Sequence, residues 1–67
     1  MTIGDRIAEL RKNKGYTQGD FAKKTGLSRQ IISKYEKNEC DPRLFNAMCI
    51  CEVLGISLDY LARGDNV

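Results

Sequence analysis

The sequence predicts an all-α domain of five short helices, and three observations carry that expectation. Apolar residues recur at three- and four-residue spacing in successive short segments. Glycine or a capping residue separates those segments. No segment alternates apolar and polar residues over four or more positions between hairpin turns, as a strand would.

Helix 1 is expected from about Ile3 to Lys14. Ile3, Ile7 and Leu10 form its apolar stripe, Thr2 caps it, and Asp5 and Glu9 suit its N-terminal half. Gly15 stops it. Helix 2 is expected from Gln18 to Thr25, with Thr17 as N-cap, Asp20 completing a near capping box, and Phe21, Ala22 and Thr25 facing inward. Gly19 in its first turn is unfavourable by up to about 1 kcal/mol. Helix 3 is expected from Arg29 to Lys37, capped by Ser28, with Ile32, Tyr35 and Glu36 inward, Ile31 at the margin and Asn38 in the left-handed region after it. Helix 4 is expected to start at Asp41-Pro42, an N-cap followed by proline. Its stripe would be Leu44, Ala47, Met48, Cys51 and Leu54, with Ile50 alongside, and Gly55 ends it. Ser57 caps a short helix 5 carrying Leu58, Leu61 and Ala62, and Gly64 precedes a frayed tail at residues 65–67.

At 67 residues the chain makes a single domain, residues 1–67, whose core is marginal. It lacks a run of about 20 apolar residues for a membrane span and a secretory leader, so a cytoplasmic, reducing location is expected. Cys40, Cys49 and Cys51 are odd in number and too few for a four-cysteine zinc site, and there is no histidine to complete one. They read as small buried or half-buried thiols, with a redox or metal role as the alternative, and neither a metal nor a cofactor is expected. The lack of histidine, of a nucleophile–base pair, and of chain enough to enclose a pocket of about 300–1,000 Å³ argues against an enzyme.

Charge is unevenly placed. Residues 1–37 hold nine Lys/Arg against four acids, whereas residues 38–67 hold two against five. A basic half suits a polyanion, although a solvated surface would look the same.

Residues 17–38 hold the informative pattern. Two short helices meet at Gly26-Leu27-Ser28, and a short glycine-bearing turn makes such helices cross at about 90–120°. Helix 3 would then stand proud of the body, with Arg29, Gln30, Ser33, Lys34 and Lys37 on its outer side. None is acidic. Arginine pairs bidentately with guanine and glutamine with adenine in the major groove, and the first turn of a reading helix makes most base contacts. Arg29, Gln30, Ser33 and Lys34 are therefore candidate base contacts, the alternative being a merely solvated face. Thr17, Gln18 and Ser28, at helix N-termini, are candidate phosphate contacts in addition to capping, joined by Lys37 and Asn38. Arg11 and Glu36 each border an apolar stripe. They would form a partly buried ion pair if helix 1 packs on helix 3, or else stand as unrelated surface charges.

The run T-Q-x-x-F-A-x-x-x-G-L-S-x-x-x-I-S-x-Y-E from Thr17 to Glu36, then Asp41-Pro42, then L-G-I-S-L-D-Y-L from Leu54 to Leu61, resembles the lambda-repressor-like, Cro-type helix-turn-helix family of phage and bacterial regulators. The resemblance spans about Ile3 to Leu61. It implies a compact five-helix DNA-binding domain with helices 2 and 3 as the helix-turn-helix, helix 3 as the reader, and a homodimer on a palindromic operator in double-stranded DNA. By position it assigns Gln18 to phosphate, Arg29, Gln30, Ser33 and Lys34 to bases, and Arg11 with Glu36 to the family's structural ion pair. Gly19 and Asn38 depart from its usual residues.

One such domain buries too little DNA surface for tight binding alone, so a dimer is expected. No separate dimerisation domain is visible after residue 64. The expected surface therefore lies on the globule at about residues 54–64, chiefly Ile56, Leu58 and Tyr60, with simple core packing as the other reading. Repression by occupying promoter DNA is the expected mechanism. The alternatives are an antitoxin-type or other protein-interaction module that also regulates itself, and an activator or controller protein.

Overall fold

The computed structural model describes residues 1–64, and the tail expected at residues 65–67 lies outside them. The helices among the described residues are α1 (Ile3–Asn13), α2 (Gln18–Thr25), α3 (Arg29–Glu36), α4 (Leu44–Leu54) and α5 (Leu58–Arg63). There is no strand among these residues. The five-helix, all-α expectation therefore holds.

Local chemistry explains most of the boundaries. The Thr2 hydroxyl accepts from the Asp5 N–H while the Asp5 carboxylate accepts from the Thr2 N–H, a full capping box. Thr17 and Asp20 repeat it at α2, so Gly19 does not prevent a well-formed first turn. Ser28 caps α3 and Ser57 caps α5 through their hydroxyls. Gly26 ends α2 at φ 77°, and that left-handed step sets the corner between α2 and α3. Lys14 and Lys37, expected as the last helical residues of α1 and α3, are instead their C-caps.

The core is built from every helix. Ile7, Phe21, Ile32 and Ile50 are fully buried, with Tyr35, Leu54 and Leu61 beside them. α1 lies across α3 and α5, and α2 packs on α3 and α4. Phe21, Ala22 and Thr25 all face inward as expected. Leu27 is half-buried at the corner and packs on the core.

α4 departs from expectation at its start and on one face. It begins at Leu44 with Arg43 as an extended N-cap that makes no side-chain cap, two residues after the proline. Pro42 is used for packing, half-buried and lining a groove with Ile3 and Leu58. Leu44 and Met48, expected inside, are 67% and 52% exposed. The inward face is instead Ala47, Ile50, Cys51 and Leu54. In α5 only Leu61 is buried, whereas Leu58 and Ala62 face outward.

Two contacts were not visible in the sequence pattern. Gly4 is buried where α1 crosses the end of α3, and a Cβ there would run into the Tyr35 carbonyl oxygen and the Asn38 side chain. Its N–H donates to Asn38 Oδ1 at 3.1 Å, and Asn38 takes the expected left-handed conformation at φ 61°. Arg6 is buried as well. It donates through Nη1 to the Leu61 carbonyl and through Nη2 to the Met1 carbonyl at 3.3 Å, tying α1 to the end of α5.

Two glycine substitutions should thus have opposite signs. Gly4→Ala overpacks the α1–α3 crossing and should cost about 1–3 kcal/mol. Gly19→Ala meets only the Thr17 hydroxyl at 3.8 Å and should gain about 0.5–1 kcal/mol from helix propensity. Urea titration of both variants checks the pair. The capping boxes also predict a pH dependence. The Thr2 backbone N–H, followed by its hydroxyl, holds the Asp5 carboxyl below its ordinary value of 3.8, and Thr17 does the same for Asp20. A depressed folded pKa gives stability that is complete above the ordinary value and lost as pH falls through the depressed one. Thermal melts should therefore decline below about pH 4, and less steeply when both aspartates are changed to Asn.

Candidate nucleic-acid interface

The corner at Gly26 turns one side of α3 outward. Arg29, Gln30, Lys34 and Lys37 are exposed there, and Ser33 is half-buried at the edge of the same face. Ile32 and Tyr35 anchor the opposite side in the core. The Tyr35 hydroxyl also accepts from Asn46 Nδ2 at 2.9 Å, so α4 holds the end of α3. Gln18, Arg29, Gln30 and Ser33 line one shallow depression, which brings the start of α2 beside the start of α3.

The two N-termini differ in charge. In α2 the Asp20 carboxylate is already bonded to the Thr17 N–H, placing an acid in the first turn. α3 has no acid in its first turn, and Arg29 is its first residue. Helix N-termini attract anions, so the start of α3 with Arg29 is the more electropositive of the two. The Thr17 and Ser28 hydroxyl oxygens each accept one backbone N–H, at 3.0 and 3.1 Å, and the Ser28 hydroxyl keeps its own proton to donate outward.

Beneath this face lies the expected ion pair. Arg11 Nε and Nη2 donate to Glu36 Oε2 and Oε1 at 2.7 and 3.0 Å, a bidentate pair nearly shut off from solvent. Arg11 Nη1 donates to the Tyr16 carbonyl at 2.7 Å. Gln18 Nε2 donates to Glu36 Oε1 at 3.0 Å. That last bond was not foreseen, since glutamine spacing alone does not reveal a partner 18 residues away. It leaves the second amide hydrogen and the carbonyl oxygen of Gln18 for other partners. Asn38 likewise has its Oδ1 engaged by Gly4, and its amide also bonds the Asp5 carboxyl.

The remaining residues singled out by sequence lie elsewhere. Ile56 and Tyr60 are half-buried beside Leu10 in a shallow depression, and Leu58 is 40% exposed on another groove. Cys40 is exposed, Cys49 half-buried and Cys51 buried, where burial pushes its thiol up. No group of three potential metal ligands occurs among the described residues, and no helix there is long and apolar enough to cross a membrane.

This fold, with its outward second helix at a glycine corner, defines a helix-turn-helix domain. The helix-turn-helix family model matches residues 7–61, and the chain belongs to that family. The chain is 36% identical over 62 residues to an SPbeta prophage-derived uncharacterized HTH-type transcriptional regulator, YonR, of Bacillus subtilis, covering 92% of this chain and 57% of the relative. It is 33% identical over 67 residues to the HTH-type transcriptional regulator ImmR of the same organism, covering 100% of this chain and 53% of the relative. The chain thus spans about half the length of these relatives. Its backbone is similar to the P22 c2 repressor protein in complex with a synthetic operator, with a TM-score of 0.93 and 34% identity over 97% of this chain and 98% of that one.

The ion-pair network makes a specific prediction. Glu36→Ala leaves the Arg11 guanidinium buried without its carboxylate and should cost about 3–5 kcal/mol, enough to unfold much of a domain this small. The double variant Arg11→Met with Glu36→Leu should lose far less, because both charges go together. Urea unfolding of the single and double variants measures the difference.

Proposed function

We propose that this chain binds double-stranded DNA in a sequence-specific manner and regulates transcription, as a repressor, with α3 in the major groove. The observation that carries the reading is the exposed, acid-free face of α3, seated beside the start of α2, on a backbone similar to a repressor in complex with its operator. Arg29 and Gln30 sit in the first turn, where base edges come within reach, and Ser33 and Lys34 follow one turn later. Thr17, Gln18, Ser28, Lys37 and Asn38 border that face and suit phosphates on either side. The reaction this performs is recognition, and no catalytic step is assigned to any residue.

Affinity would come from pairing two such faces. A single domain of this size makes few base contacts, so we assign the protein a homodimer on a palindromic operator, with half-sites about one helical turn apart. Leu58 is the best exposed of the expected dimer residues, and Ile56 and Tyr60 flank the neighbouring depression. Occupation of promoter DNA by the dimer, in the cytosol, would then exclude other factors.

Selection of binding sites from random duplex DNA tests the proposal in one step. The expected product is a palindrome, and unenriched pools would overturn the reading. On the selected site, Arg29→Ala or Gln30→Ala should cost about 1–3 kcal/mol and relax preference at one base position. Gln18→Ala should weaken all sequences to a similar degree, with a shallower salt dependence. Gel-shift titrations at two salt concentrations separate the two behaviours.

A further inference from the structure

The apolar side of α4 is unpartnered. Leu44, Phe45 and Met48 are 67%, 75% and 52% exposed, and apart from Met1 and Leu58 they are the large hydrophobic side chains that the described residues leave in solvent. At about 100° per residue, Ala47, Leu44, Met48 and Phe45 follow one another round the helix from its inner edge to its outer face. They form one continuous stripe. At its inner edge lies a groove of about 200 Å³ between α1, α4 and α5, walled by Ile3, Pro42, Leu44, Ala47, Leu58 and Leu61. Leu44 links the two features, since it walls the groove and precedes the protruding Phe45 in the helix.

We infer that this stripe is a self-complementary docking surface for a second copy of the chain, with Phe45 of each copy entering the groove of the other. The inference rests on the homodimer reading and moves the centre of its interface from α5 onto α4. Two observations select a second copy as the occupant. In a two-fold dimer the same patch serves both partners, so a projection and a recess must share one surface, and the stripe from the groove wall at Leu44 through Met48 to Phe45 provides both. The area also fits. Leu44, Phe45, Met48 and Leu58 expose on the order of 400 Å² of apolar surface, within the range that marks an interaction patch on a small domain. Doubled by symmetry and widened by a polar rim at Arg43 and Asp59, it approaches the roughly 1,200 Å² at which specific dimers begin. Leu58 belongs both to the groove wall and to the surface expected from sequence, so the two are continuous.

The test compares Phe45→Glu, Met48→Glu and Tyr60→Glu with the unaltered full chain. Sedimentation equilibrium gives the dimer constant, thermal melts check folding, and fluorescence anisotropy follows binding to duplexes holding one or two selected half-sites. Phe45 and Met48 face solvent, so their variants should melt like the parent. They should weaken dimerisation about tenfold or more, lower affinity for the two-site duplex, and leave one-site binding unchanged. A Phe45→Glu chain that dimerises like the parent overturns the α4 interface. If Tyr60→Glu alone abolishes the dimer, the homodimer stands and its surface lies on α5. A parent chain that stays monomeric both free and on the two-site duplex overturns the homodimer and the α4 surface together, while one-site binding still tests DNA recognition separately.

Discussion

The arrangement of the domain turns on the buried Arg11–Glu36 pair. It joins α1 to the last residue of α3, and its spare bonds reach the Tyr16 carbonyl before α2 and the Gln18 amide within it. Three helices are thereby indexed to one another by a single cluster of charge. Such a pair is weak evidence for net stability, because removing both ions from water costs about what their attraction returns. Its value lies in geometry. Hydrophobic contacts among Ile7, Phe21 and Ile32 would tolerate a helix that rolled or slid, whereas a bidentate guanidinium–carboxylate bond tolerates little of either. The outward face of α3 is set by the rotation of that helix, so the pair fixes which side chains face outward.

The same cluster touches the candidate interface directly. Gln18 lines the depression with Arg29, Gln30 and Ser33, and its amide is held from below by Glu36. A ligand that bonded the free side of that amide would thus meet a side chain already oriented, at less entropic cost than a free glutamine. Two residues past Glu36, Asn38 couples the end of α3 to Gly4 of α1. The C-terminal end of the exposed helix is therefore clamped to α1 twice, by the ion pair and by a hydrogen bond from the Gly4 N–H to the Asn38 side chain, at a crossing too close for a Cβ.

What was legible in the sequence follows from which forces are local. The starts of α1, α2, α3 and α5 were readable because Thr2, Thr17, Ser28 and Ser57 act on N–H groups three residues away. The glycine corner and the polar, acid-free side of α3 were readable for the same reason, since periodicity on one helix decides which side chains share a side. The Arg11–Glu36 pair was expected only on condition that helix 1 lay on helix 3. Contacts set by tertiary approach were silent: the Gly4 crossing, the buried Arg6 at the end of α5, and the bond from Gln18 to Glu36. Nothing in a local window marks a glycine as a crossing point or an arginine as a helix clamp.

α4 shows where periodicity itself loses information. Its sequence, LFNAMCICEVL, is apolar nearly all round, so any stripe drawn along it finds hydrophobic residues. The stripe through Leu44 and Met48 and the observed one through Ala47, Ile50 and Leu54 are almost equally apolar, and packing decides between them. The small Ala47 and Cys51 permit close approach to α2 and α5, which leaves the bulkier Leu44, Phe45 and Met48 outside. A helix that is apolar on both its inner and outer faces is normally buried on both. Here the described residues cover only the inner face, and Leu44, Phe45 and Met48 stay in solvent. The domain thus exposes two surfaces of opposite chemistry, a polar, acid-free one on α3 and an apolar one on α4.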